Sequence, residues 1–153
     1  MQGIHEEVLV KQSFPAQQIS TAGTSYNNTT IGVSSGIDMK GYDEAMVQVN
    51  CGTINGTLDV SLLASAANGA ASAATAIAQA DGTLADFNQI TSANSNTTKV
   101  IRIRSKDTAR YLFVKVVRGG ATAKSFSIDV ELGKPKSVPV TQDQTVDFTH
   151  SGA

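Results

Sequence analysis

Two histidines, one cysteine and thirteen carboxylates are the side chains in this chain best suited to move a proton near neutral pH or hold a metal. His5 and His150 lie near opposite ends, so a His-centred triad or a multi-His metal site is not expected. The adjacent pairs Glu6-Glu7 and Asp43-Glu44 are the closest carboxylates. Neighbours on a strand point to opposite faces, so neither pair can share one substrate as acid and base. Asp38, Asp43, Asp81 and Asp86 could supply oxygen ligands, but they lack the close spacing of a calcium loop. A lone Cys51 excludes an intrachain disulfide and a thiolate metal site, and its alternating position reads as a small buried apolar residue. Gly52, Gly56, Gly119 and Gly120 read as turn residues and not as a phosphate cradle. The residue types therefore lead us to expect no catalytic residue, no cofactor and no metal, which argues against an enzyme.

Chemistry being sparse, the elements that would hold these groups carry the information. A chain of 153 residues is expected to form one domain. Ala, Gly, Ser and Thr supply 63 of those residues. Small side chains bury little area, at about 25 cal/mol per Å², so such a domain gains from packing against copies of itself or a larger surface. The N-terminus has no basic start followed by an apolar stretch, and no run approaches 18 apolar residues. The expectation is a protein without signal peptide or membrane span, made in a cytoplasm. The sequons at Asn27, Asn28, Asn55 and Asn96 then read as chance products of an Asn/Thr-rich chain. The net charge of −1 hides a split: residues 1–98 sum to −6, residues 99–136 to +7, and the remainder to −2. A basic block of this kind suits a solvated sheet face or an acidic protein surface. Nucleic acid is not expected, because Tyr111, Phe113 and Phe126 are its only aromatic platforms and all three read as core.

Two glycine-containing turns organise the pattern. Ala45–Ile54 and Thr57–Ser65 alternate on either side of Asn55-Gly56, a pair that favours a type I′ hairpin. The expected pairing sets Cys51 beside Val60, Val49 beside Leu62 and Val47 beside Ala64, all on one dry face. Gln48, Asn50, Asp59 and Ser61 form the wet one, with Leu63 as the exception. Arg110–Arg118 and the run to Leu132 flank Gly119-Gly120 in the same way. That register pairs Phe113 with Phe126, Tyr111 with Ile128 and Arg110 with Asp129. It leaves Leu112, Val114 and Val116 on a second, half-apolar face with Ser125 and Ser127, suited to contact with another subunit or a chain terminus. Lys99–Arg104 alternates cleanly, with Ile101 and Ile103 opposite Arg102 and Arg104. Glu7–Phe14 and Thr29–Ser34 read as further strands. The Ala-rich stretch 64–80 reads as a loop running into a strand, with a helix as the alternative, and Asp81-Gly82 as a turn toward Leu84–Ile90. At least six strands at this spacing predict an all-β, antiparallel β-sandwich of jelly-roll type. Residues 1–14 form an N-terminal arm or edge strand, 15–133 the core, and 134–153 an extended C-terminal tail.

Several segments together resemble the auxiliary head proteins of tailed bacteriophages, small β-sandwich proteins that decorate or cement a capsid. The resemblance lies in Ile37-Asp38-Met39-Lys40-Gly41-Tyr42 and the strand Ala45–Cys51. It continues through Thr57-Leu58-Asp59-Val60, Gln89-Ile90-Thr91 into Val100–Ile103, Ala109-Arg110-Tyr111-Leu112, and Val130-Glu131-Leu132-Gly133 with Pro139-Val140. The Ala-rich stretch departs from it. The resemblance implies a non-enzymatic virion protein on the outer capsid surface, a homotrimer whose partners are the major capsid protein and itself. On that reading the contact residues are Glu6 and Glu7 in an arm, with Arg102, Arg104, Arg110, Leu112, Val114, Val116 and Arg118. Two rivals remain at this point. A carbohydrate-binding or host-adhesion module would need aromatic platforms, and the chain has no Trp and three Tyr. A head–tail connector or tail tube subunit would form rings or tubes.

Overall fold

The computed structural model describes residues 8–26, 36–69, 71–78, 84–105 and 108–135. Among these residues nine strands carry the fold: β1 (Val8–Ile19), β2 (Gly23–Tyr26), β3 (Ile37–Asp38), β4 (Tyr42–Ile54), β5 (Thr57–Ser65), β6 (Thr75–Ala76), β7 (Thr98–Arg104), β8 (Tyr111–Gly119) and β9 (Lys124–Pro135). Single 3₁₀ turns at Ala71–Ala73 and Ser92–Asn94 are the helical pieces, and none of the described residues is α-helical. The first sheet has the order β1-β9-β4-β7. The second runs β2-β8-β5-β6, with β3 beside β2 on the same flank of β8. Every paired strand is antiparallel to its neighbour. The predicted all-β antiparallel sandwich is therefore the fold.

The core lies between the sheets and follows from period-two alternation. β4 and β9 turn Val47, Val49, Ile128, Val130 and Leu132 inward, and β5 and β8 answer with Leu58, Val60, Leu62, Leu112, Val114 and Val116. Each of these is 1% exposed or less. Phe14 of β1 stacks obliquely on Phe126 at 6.0 Å between ring centres. Phe113, on the outer side of the second sheet, is also fully buried. Gly36 passes over its ring so closely that a Cβ there would stand 2.8 Å from Cζ.

Both predicted hairpins are corrected. β4 lies in the first sheet and β5 in the second, while β8 lies in the second and β9 in the first. Asn55-Gly56 and Gly119-Gly120 are thus arches across the sandwich. Cys51 pairs with Phe126, Val49 with Ile128, Val60 with Val116 and Leu62 with Val114. The residues expected to share a dry face do point inward, but they meet across the core and not side by side. Neither Asn55 nor Gly56 has positive φ, so no type I′ turn forms.

Cys51 is buried, and burial pushes its thiol pKa up. The Ala-rich stretch makes a turn, the 3₁₀ turn, and the short β6, as the loop-plus-strand reading required. Leu84, Asp86 and Ile90 form only isolated bridges. β9 extends through Pro135, beside Tyr42, so the ladder ends later than Lys134. The strand at Thr29–Ser34, the turn at Asp81-Gly82, the residues before Val8 and the tail from Lys136 lie outside the described residues.

Candidate contact surface

The contact residues inferred from sequence do not form one patch. Leu112, Val114 and Val116 are fully buried in the core. The half-apolar face of β8 is the inner one, and these three are withdrawn as contact residues. Arg118 points the same way near the end of β8, and its Nη1 donates to Ser25 Oγ at 3.0 Å. Its Nε is buried without a partner. Glu6 and Glu7 lie outside the described residues. Only Arg102 and Arg104 stay together, two residues apart and both exposed on β7.

Arg110 is exposed but does not meet Asp129. Its Nε and Nη2 donate to the two carboxylate oxygens of Asp38 at 2.8 and 2.6 Å, a bidentate pair. The hydrogen bond from Arg110 holds the Asp38 carboxyl below its ordinary pKa, although partial desolvation opposes it. The same guanidinium lies 4.9 Å from the centre of the Tyr111 ring. Asp129 belongs to the first sheet and accepts from Asn50 Nδ2 at 3.3 Å. The pairing failed because β8 and β9, though consecutive, are in different sheets.

The basic block is likewise dispersed. Lys124 is completely buried and donates from Nζ to the carbonyls of Gly120 and Thr122 at 2.7 and 2.6 Å. Lys134 pairs with Glu44 at 2.9 Å. Lys115 sits on the outer side of the second sheet beside Tyr26 and Ser61. The +7 segment is therefore no single basic face. What survives as a charged surface is the β7 margin of the first sheet.

That margin is built in rows. Arg104, Glu44 and Gly133 form one, Arg102, Met46 and Glu131 the next, then Val100, Gln48 and Asp129, then Thr98, Asn50 and Ser127. Opposite charges occupy the first two rows, and Gly133 leaves a shallow depression lined by Glu44, Met46, Arg102 and Glu131. Amides and hydroxyls knit the other two. Gln48 Nε2 donates to Asn50 Oδ1 at 3.0 Å, and Thr98 Oγ1 to the same oxygen at 3.1 Å. Sequence reasoning found Arg102 and Arg104 through their alternation with Ile101 and Ile103. It gave no role to Val100, which the same alternation places on the face of Arg102 and Arg104 and which is 47% exposed.

Among the described residues, no three His, Cys, Asp or Glu side chains converge on a point, and no helix is long and apolar enough to cross a membrane. The arrangement offers strand edges and a polar sheet face, the means of binding another protein surface. No protein-family model and no curated protein sequence matches the chain.

Proposed function

We propose that this chain is a structural component of a virion that decorates or cements the outer surface of a tailed-phage capsid. It acts by subunit contacts with itself, as a homotrimer, and with the major capsid protein. The observation that supports this reading is spatial. Segments carrying the resemblance are far apart in sequence yet adjoin in the fold. Met39 N–H donates to the Arg110 carbonyl at 3.0 Å. Ile37 pairs with Leu112 and Ala45 with Leu132. The order of strands agrees with a jelly roll, since six of the eight connections between the described strands pass from one sheet to the other.

The sugar-binding alternative gains nothing from the tyrosines. Tyr26, Tyr42 and Tyr111 are each half-buried, and burial raises the pKa of the Tyr42 hydroxyl. Incubating the purified chain with undecorated capsids and sedimenting them tests the proposal: saturable co-sedimentation is expected, and none at any concentration rejects it. The contribution of Glu6 and Glu7 is read by removing residues 1–7. A longer deletion to Phe14 would strip Leu9 and Phe14 from the core and confuse loss of contact with loss of fold.

A further inference from the structure

Four flanks bound the two sheets, and three of them are broken. β1 has register shifts between Gln12 and Phe14 and between Phe14 and Gln17, with Pro15 inside the second. β2 and β3 share their flank as pieces of four and two residues, and β6 has two residues. β7 differs: its seven residues pair with β4 in unbroken register, without glycine or proline. The carbonyl of Thr97 accepts from Cys51 N–H at 2.8 Å. Alternation then directs residues 99, 101 and 103 toward β4 and turns the N–H and C=O groups of Thr98, Val100, Arg102 and Arg104 outward. No described strand pairs with that side.

An open, regular edge is a template for another strand, and cationic side chains are one way of deterring the wrong one. Two β7 edges laid together would oppose two sets of Lys99, Arg102 and Arg104, so the fitting strand is acidic. The chain itself contains one. Residues 141–148 (Thr-Gln-Asp-Gln-Thr-Val-Asp-Phe) hold no proline and no base. In extended form they place Thr141, Asp143, Thr145 and Asp147 on one face. We propose that the segment Thr141–Phe148 of a second copy adds to the free edge of β7 as an antiparallel strand. With Asp143 beside Arg104, Asp147 stands beside Val100, and Arg102 is diagonal to both carboxylates. The five residues 136–140 span up to about 17 Å when extended, enough for the tail to leave its own sandwich. Within one molecule the tail would have to round the start of β4 and the end of β7 before it could lie along the same edge. A second copy meets the edge from its open side.

This exchange goes beyond the capsid reading and does not need it, so it is tested on the purified full-length chain alone. Mass in solution is followed against concentration for the wild type, for Arg102→Asp/Arg104→Asp, and for Asp143→Arg/Asp147→Arg. The wild type is expected to self-associate, and each variant, now like-charged at edge and tail, to need about tenfold or more higher concentration. Mixing the two variants restores association, because an acidic edge then meets a basic tail from another copy. Circular dichroism confirms that each variant is folded. A wild type monomeric throughout, variants that associate as well as the wild type, or a mixture that stays dissociated would each overturn the proposal.

Discussion

The two arches at one end of the sandwich use glycine for different reasons. At Asn55-Gly56 neither residue has positive φ, and space is what is scarce. A Cβ on Gly56 would lie 2.5 Å from Lys124 Cε and 2.7 Å from the Gly119 carbonyl oxygen. At Gly120 the conformation is what is scarce: its φ is +74°, with nothing nearer its absent Cβ than Thr122 Oγ1 at 3.6 Å, whereas at the neighbouring Gly119 a Cβ would run into Thr57 Oγ1. The arches are also bonded to each other. Asn55 N–H donates to the Ala123 carbonyl at 2.9 Å, and the Thr122 hydroxyl to the Asn55 carbonyl at 2.6 Å. Lys124 completes the lock from beneath by holding the carbonyls of the second arch. Glycine thus serves close packing at Gly56 and a left-handed bend at Gly120.

Lys124 is where that comparison breaks most easily. Its side chain is fully buried, so Lys124→Ala removes packed methylenes and two charge-assisted hydrogen bonds. A loss of about 3–4 kcal/mol is expected in chemical denaturation. Lys124→Met keeps the stem and loses the ammonium, which should cost about 1.5 kcal/mol. If the two variants were equally unstable, the hydrogen bonds of the ammonium alone would explain the residue, and a Lys124→Met variant as stable as the wild type would leave packing alone.

Glycine substitutions then separate the two arches. Gly56→Ala should cost about 2–3 kcal/mol, because the backbone oxygen of Gly119 cannot yield as a side chain would. Gly56→Asn should be at least as damaging. Gly120→Ala should cost about 1 kcal/mol through its dihedral angle, and Gly120→Asn less, since Asn tolerates that conformation. Denaturation midpoints for the four variants decide the matter. Rescue by Asn at Gly120 but not at Gly56 confirms the distinction, and rescue at both would show that Gly56 is under conformational strain after all.

These arches also show what the residues reveal and what they conceal. Alternation identified which side chains point inward: Val47, Val49, Cys51, Val60 and Leu62 are all buried. It could not say which sheet each strand joins. In a two-layer sandwich, a neighbour in the same sheet and a partner across the core carry the same inward–outward pattern. A two-residue connection is compatible with either. Asn55-Gly56 carried a strong local preference for a hairpin, and tertiary packing against Gly119 and Lys124 overrode it. The contact surface was less legible for the same reason. Once β8 and β9 were assigned to one sheet, Leu112, Val114 and Val116 were turned outward and Arg110 was set against Asp129. On β7, where no partner assignment is needed, the alternation separates Arg102 and Arg104, both exposed, from Ile101 and the buried Ile103.

Arg110 offers the counterpart to Lys124, a cation paired at the surface instead of sealed beneath an arch. Its partner Asp38 has a folded-state pKa below the ordinary 3.8, chiefly through the hydrogen bond from Arg110. A lowered carboxylate pKa means that the unfolded chain binds the proton more readily. The pair's contribution is therefore present above the unfolded value and is lost as pH falls through the folded one. Both side chains are more than a third exposed, so water and salt screen the interaction. Asp38→Asn should accordingly be the mildest of these changes, smaller than Gly120→Ala. Its deficit against the wild type should be measurable at neutral pH and low salt, and absent in acid below the folded pKa of Asp38. Lys124→Met faces no titrating partner among its bonded groups, both of which are backbone carbonyls, so its deficit should persist across the same range. Stability curves for both variants from pH 7 into acid would show the two cations diverging. Parallel curves would mean that Asp38 contributes through neutral hydrogen bonds, such as the one it accepts from Lys40 N–H at 2.9 Å, and not through the charge of Arg110.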